Sequence, residues 1–297
     1  MSGRELSYTV PAQDAGRRAR SVLQRELKLS AGLVTRLKQR EGAVKINGKP
    51  ARTTDVLSAG DVLTAEVGDV RPGGLFAPST HLPEVLFEDE DFIILNKPAG
   101  VATHGRSERG ETTVAGMLAA YLGTESPFHP VNRLDRGTTG VMCVAKTGYA
   151  HDRLRRLLHS ESFVRDYIAI AVGEVSPPSG VITLPIVKIG EKKFGTRPDG
   201  APSITKYETI NSSGGLTLLR VAPETGRTHQ IRVHLAALGF PLLGDALYGR
   251  PSDELARPAL HSASLFLLHP LTGDELRVSA PLPEDMRAVM ESHGLSL

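Results

Sequence analysis

Tryptophan is absent from this 297-residue chain, aromatic residues make up 5% of it, and there is one cysteine, Cys143. A single cysteine excludes an internal disulfide and a multi-cysteine metal centre, and it points to a reducing compartment. Its surroundings, Gly140-Val-Met-Cys-Val-Ala, read as a buried strand. No run of about 18 apolar residues occurs, and the opening segment MSGRELSYTVPAQDAGRRAR has no apolar stretch behind its charges. Neither a membrane span nor an export signal is therefore expected, and the setting reads as cytoplasmic. Also missing are a Walker loop, a Gly-x-Gly-x-x-Gly turn after a strand, a Gly-x-Ser-x-Gly elbow and any zinc-ligand spacing. These absences exclude ATP-driven, NAD-dependent, serine-hydrolase and zinc chemistry.

What is present is an ordinary globular balance, 40% hydrophobic and 23% charged, in a chain long enough for two modest domains. The net charge of +2 is unevenly spread: residues 1–50 hold eleven lysines and arginines against four acids, so that end carries +7 and the remainder −5. A basic block of this kind fits a polyanion-binding module and equally a solvated helical surface. Residues 17–28 place Ala19, Val22, Leu23 and Leu27 on one helical face. Ser30 is placed to cap a second helix, 31–41, which buries Leu33, Val34 and Leu37 and turns Arg36, Lys38 and Arg40 to solvent before Gly42. Val44-Lys-Ile before Asn47-Gly48 predicts a hairpin, and Gly60-Asp61 leads into a strand over 62–67. This unit is expected to span residues 1–68, followed by a Pro- and Gly-rich linker, 69–83, and a second domain, 84–297. In the second domain, strand-like runs at 85–87, 92–95, 140–144, 167–172, 216–221 and 276–278 lie irregularly among helical stretches at 112–121, 151–159 and 228–238. Without strict βαβ alternation the expected class is α+β, a mixed, largely antiparallel sheet flanked by helices.

Two polar clusters stand out. In Phe128-His-Pro-Val-Asn-Arg-Leu-Asp-Arg-Gly-Thr-Thr-Gly140, Asp135 lies between Arg133 and Arg136 in a loop too rich in glycine and hydroxyls to be core. Flanking cations favour the charged form of a carboxylate, so Asp135 is a candidate nucleophile or base, or else a surface aspartate that caps a turn. In Thr225-Gly-Arg-Thr-His-Gln-Ile-Arg-Val-His234, the expected helix carries Arg227, His229, Gln230 and Arg232, donors suited to an anion or a base edge. His229 and His234 are five apart, so they do not form a metal-binding helical pair, and both read as satisfied structural histidines. Asn96-Lys-Pro-Ala-Gly100 reads as a tight turn, and Tyr167 as a residue at the edge of the core.

Taken in order, these segments resemble the RluA-type family of RNA pseudouridine synthases over the span 84–286. Asn132-Arg-Leu-Asp-Arg-Gly-Thr-Thr-Gly is similar to that family's His-Arg-Leu-Asp-x-x-Thr-Ser-Gly motif, Asn96-Lys-Pro-Ala-Gly to its Asn-Lys-Pro-x-Gly turn, and Gly226-Arg-Thr-His-Gln-Ile-Arg-Val-His to its second signature. Gly244-Asp-x-x-Tyr-Gly and Leu260-His-Ser match as well. Residues 17–67 resemble the small helix-helix-hairpin RNA-binding domain, the alpha-L motif, that precedes many such synthases. Departures are Asn132 for the usual His, Gly137 for an often acidic residue, Thr139 for Ser, and Arg165 for the Lys two before the tyrosine.

The resemblance implies an isomerase that extrudes a uridine from structured RNA and turns it into pseudouridine. In that reading Asp135 is the essential carboxylate, Tyr167 the phenol beside the base, Arg232 the partner of Asp135, and Arg133 the residue that displaces the flipped uridine. Asn132, Arg136, Thr138, Lys97, Arg227, His229 and Gln230 are expected to contact the substrate, and Arg36, Lys38, Arg40 and Lys45 to contact RNA from the basic module. The RNA expected is ribosomal, with transfer RNA as the other class. No cofactor, metal or membrane partner is implied, and the protein is expected to be a monomer. The alternatives are a ribosome-assembly factor that binds RNA without turnover and an N-glycosylase that releases the base.

Overall fold

The computed structural model describes residues 4–68, 76–105 and 112–297. Of the expected linker, 69–75 lie outside the described residues. Residues 76–83 carry no helix or strand.

The N-terminal module packs two short helices on a small sheet. Helix α1 (Ala19–Arg25) buries Ala19, Val22 and Leu23, and α2 (Ala31–Lys38) buries Leu33, Val34 and Leu37, the faces set by three- and four-residue spacing. Ser30 Oγ accepts a hydrogen bond from Leu33 N at 3.2 Å, capping α2. The Asn47-Gly48 turn joins β2 (Val44–Ile46) to β3 (Lys49–Pro50), and β2 pairs antiparallel with β4 (Val62–Val67). An additional strand, β1 (Arg4–Thr9), which periodicity does not predict, pairs with the other edge of β4 from Arg4↔Val67 to Thr9↔Val62.

In the larger part the strands are β5 (Glu84–Glu88), β6 (Phe92–Lys97), β7 (His129–Pro130), β8 (Thr139–Ala145), β9 (Phe163–Val172), β10 (Ser179–Ile182), β11 (Ile186–Lys188), β12 (Phe194–Thr196), β13 (Thr205–Ser213), β14 (Leu216–Pro223), β15 (Leu260–Leu268) and β16 (Glu275–Ser279). The helices are α3 (Val114–Leu122), α4 (Gly148–Leu157), α5 (Gln230–Ala237) and α6 (Glu284–His293). One sheet runs β10-β13-β14-β9-β15-β8-β6-β5, with β16 added on β15 and β7 on β8, while β11 and β12 form a separate hairpin. Only the β15/β8 contact is parallel among these pairs, so the sheet is mixed and largely antiparallel, as expected. Strands β6 and β8 are buried on both faces, which is why they read as continuous apolar runs. Ile93, Leu95, Tyr167 and Ala169 face α3 and α5; Phe92, Ile94 and Cys143 face α4; Ile168 and Ile170 face α6. This alternation assigns Tyr167 to the same side of the sheet as α5. Among the described residues no helix is long and apolar enough to cross a membrane.

The two parts touch. Tyr149 of α4 is buried in the core of the small module, Leu271 packs against that core, and Arg4 Nη1 donates to both carboxylate oxygens of Asp91 at 2.6 Å.

Candidate active site

The loop between β7 and β8 carries the first cluster. Val131 and Leu134 anchor it in the core, and Arg133 and Arg136 face solvent with Asp135 half-buried between them. Several bonds hold its backbone. Asn132 Oδ1 accepts from Cys143 N at 2.8 Å, Thr103 Oγ1 donates to Leu134 O at 3.0 Å, and Gly100 N donates to Arg136 O at 2.9 Å. The loop then enters β8 at Gly140, whose φ is +102° and where a Cβ would stand 2.1 Å from Ser262 O; only glycine fits so close to β15.

Opposite lies the start of α5. The helix begins at Gln230, two residues later than periodicity predicts, because His229 adopts a left-handed backbone at φ +58°. Arg232, one turn in, is buried. Its Nε and Nη2 donate to the two oxygens of Asp245 at 2.7 and 2.8 Å, and its Nη1 donates to Asp135 Oδ2 at 3.3 Å. Burial works against the Arg232 charge, but the bonds to Asp245 and the field of Asp135 more than offset it, and its pKa is raised. Asp245 is fully buried and also accepts from Leu247 N and Tyr248 N, while Gly244 before it has φ +71° and no room for a Cβ beside Leu255 O and Arg257 O. The guanidinium is thus held on one side by a fixed carboxylate and presented on the other to Asp135.

His229 Nε2 stands 3.9 Å from Asp135 Oδ2, and its Nδ1 is 2.9 Å from the Tyr248 hydroxyl, which accepts from Phe194 N at 3.0 Å. Burial lowers its pKa, with Asp135 opposing, so the ring is neutral near pH 7. Tyr167 lines the same cavity from β9; burial raises its pKa, with Arg165 and a hydrogen bond with Ser262 opposing, and the phenol stays protonated. Asp135, Tyr167, Arg232, His229, Arg227, Arg133 and Thr138 all border one cavity of about 350 Å³, in the size range of small-ligand sites.

Three residues expected to contact substrate are instead committed to the protein. Lys97 is fully buried, and its ammonium donates to Pro98 O, Val101 O and Arg136 O at 2.8, 2.7 and 3.2 Å. Burial, opposed by Asp135, pushes its pKa down to about 7; this residue ties the β6 turn to the Asp135 loop. Gln230 bonds to Thr225 Oγ1, Arg227 N, Ile204 O and Thr205 Oγ1, leaving its amide no capacity for a base edge. Asn132 is buried beside Cys143. Asn132 and Gln230 border the cavity and Lys97 lies beneath the Asp135 loop, and the hydrogen bonds they make run to neighbouring backbone and threonine groups. Arg136 contributes its carbonyl to the Lys97 tie, with its side chain exposed. In the small module Arg36 and Lys38 are exposed on α2, whereas Arg40 pairs with Glu66 and Lys45 lies 4.0 Å from Glu5. Of the two histidines expected to be structural, His234 is so, bonded to Thr205 Oγ1 and Leu184 O, and His229 faces the cavity. Asp245 and Tyr248 lie in the matched segment Gly244-Asp-x-x-Tyr-Gly, whose local pattern does not show that Asp245 meets Arg232.

A family profile described as RNA pseudouridylate synthase matches residues 91–237. An RNA pseudouridine synthase of Bacillus subtilis, YjbO, named as uncharacterized, is 34% identical over 90% of this chain and 96% of its own length. Ribosomal large subunit pseudouridine synthase C of Salmonella typhi is 33% identical over 95% of this chain and 94% of its own, and synthase D of Escherichia coli 34% over 84% and 82%. Among solved structures, human RNA Pseudouridylate Synthase Domain Containing 4 superposes with a TM-score of 0.60 at 26% identity, covering 72% of this chain and 94% of that one. With the ordered motifs around one cavity and these likenesses along nearly its whole length, the chain belongs to the RluA-type RNA pseudouridine synthases, isomerases that convert uridine in RNA to pseudouridine.

Proposed function

We propose that the protein isomerises uridines of ribosomal RNA, with Asp135 as the reacting carboxylate. The observation that carries this reading is the chain Asp245–Arg232–Asp135 at the edge of the cavity, which fixes one carboxylate oxygen and leaves the group within reach of a ligand. The ribosomal preference follows the names of the C and D synthases. In the reaction the bond from ribose C1′ to uracil N1 breaks, the base rotates, C1′ joins C5, the C5 proton leaves and N1 gains one. Asp135 starts it by adding to the anomeric carbon or to the ring, or by taking a proton from the sugar. Negative charge builds on the departing uracil, and hydrogen-bond donors around the cavity stabilise it. A stacked uridine is out of reach, so the nucleotide leaves the helix and exposed Arg133 fills the space behind it. The setting is the cytoplasm, and the acting unit a monomer.

Unmodified ribosomal and transfer RNA, each incubated with the protein and digested to nucleosides, test the substrate class. Pseudouridine at discrete ribosomal positions supports the reading; pseudouridine confined to transfer RNA, or none in either pool, refutes it.

A protonated Tyr167 relays the proton that leaves C5 to N1 of the rotated base, giving up its own phenolic proton to N1 as it takes the one from C5. Tyr167→Phe is expected to slow turnover by about 100-fold with little change in KM. An unchanged rate would leave the ring only a stacking role.

Arg36 and Lys38 on α2 hold RNA away from the cavity through its phosphates. Removing the whole module would strip the cover from Tyr149, so the test uses the intact chain. Arg36→Gln with Lys38→Gln should weaken RNA binding and lower the slope of log affinity against log salt by roughly one for each phosphate no longer neutralised. An unchanged slope would place RNA elsewhere.

A further inference from the structure

Arg165 precedes Tyr167 by two residues on β9, so both side chains lie on one face, and both line the cavity of Asp135. Arg165 is 8% exposed. Its Nη2 donates to Pro223 O at 3.0 Å, and its Nε has no hydrogen-bond partner. Among the described residues no carboxylate lies within ion-pair distance of it. The other deeply placed arginines differ: Arg232 is paired with Asp245, and Arg257 with Asp285. A buried cation without a counter-charge is strongly unfavourable, and folded proteins retain one where a ligand supplies the charge. Thr138 Oγ1, on the same cavity wall, is a second buried polar atom without a partner.

The cavity is built for an anion. Asp135 is the only acid among its described lining residues, against Arg133, Arg155, Arg165, Arg227 and Arg232. Uracil and ribose are neutral, so the anion that an RNA brings is a phosphodiester, which the planar guanidinium fork fits. Two residues along a strand span about 7 Å, the scale on which a base and the phosphate beside its ribose are separated.

We infer that Arg165 seats a phosphodiester flanking the extruded uridine, an anion subsite next to the reacting groups; this rests on the synthase reading above. The subsite anchors the flipped nucleotide by its backbone while Tyr167 meets the base. Lysine at this position would supply the same charge without the fork.

The test compares wild type, Arg165→Met and Arg165→Lys on an RNA oligonucleotide spanning a modified position, with a neutral methylphosphonate placed 5′ or 3′ of the target uridine. Arg165→Met is expected to raise KM by about tenfold or more, to lower the salt slope by about one, and to leave the melting temperature equal or higher because it removes an uncompensated charge. Arg165→Lys should recover most of the loss. One of the two methylphosphonates should weaken wild type and spare Arg165→Met, and its position names the phosphate. Dissociation constants measured in an Asp135→Asn background report the phosphate interaction without turnover. An unchanged KM, Kd and salt slope in Arg165→Met, a fall in its melting temperature, or methylphosphonates acting equally on both proteins would overturn the subsite. Absence of pseudouridine from the wild-type reaction would instead overturn the synthase reading.

Discussion

Asp135→Asn is expected to abolish pseudouridine formation, with a loss of roughly 10,000-fold or more in single-turnover rate, while the dissociation constant for RNA stays within a few-fold of wild type. The asparagine keeps the size and most of the shape, so the loop held by Thr103, Gly100 and Asn132 is undisturbed. What disappears is the carboxylate proposed to react with the nucleotide. Stability should hardly move: Asp135 meets Arg232 at 3.3 Å from a side chain 24% exposed, and Arg232 keeps its two bonds to Asp245. Residual activity within tenfold of wild type would mean that Asp135 merely caps its turn, the second reading that its sequence context allowed.

Asp245→Ala is expected to produce the largest stability effect, and for the opposite reason. Asp245 is fully buried and its partner guanidinium is 9% exposed, so the substitution removes the carboxylate that takes two of its hydrogen bonds and leaves it only the 3.3 Å contact with Asp135. Breaking such a pair by removing one partner costs about 3–5 kcal/mol, a fall in melting temperature of roughly 5–8 °C for a chain of this size. Activity falls with it even below the melting range, because Arg232 loses the two bonds that orient it toward Asp135. A melting temperature within about 2 °C of wild type would show that water or a shift of Arg232 replaces the pair. Asp135→Ala is the control: the same guanidinium loses its other carboxylate and stays folded.

The contrast between the two aspartates marks how far the sequence could be read. Asp135 was legible because its loop is short, polar and followed at once by the apolar strand β8. Arg232 stood out as one of four donors at the start of a helix, but its pairing with Asp135 and the place of Tyr167 beside the base came only through the resemblance; by spacing alone Tyr167 is an ordinary residue of a strand. Asp245 needs a chain reversal after α5 that brings residue 245 back beside residue 232, and periodicity carries no information about such a return. Lys97, Gln230 and Asn132 show the converse limit. Their donors and acceptors suit RNA as well as they suit backbone carbonyls, and which partner they have depends on burial, which the residue types alone do not encode. Helix α6 did have a local signal, Pro283 followed by Glu284 and Asp285, the pattern of a helix start. Strand β1 had none, since its partner β4 lies more than fifty residues away and its exposed face dilutes the alternation.

The central claim is that this cavity breaks and remakes a glycosidic bond without losing the base. Its most direct measurement is tritium release from ribosomal RNA carrying tritium at C5 of uridine, scored together with free uracil. Release to a fixed, whole-number stoichiometry per RNA, with no free uracil and none of it in Asp135→Asn, is the predicted result. Free uracil that still carries the tritium would make the protein a glycosylase, and bound RNA with neither uracil nor tritium released would make it a binding factor; either outcome contradicts the account.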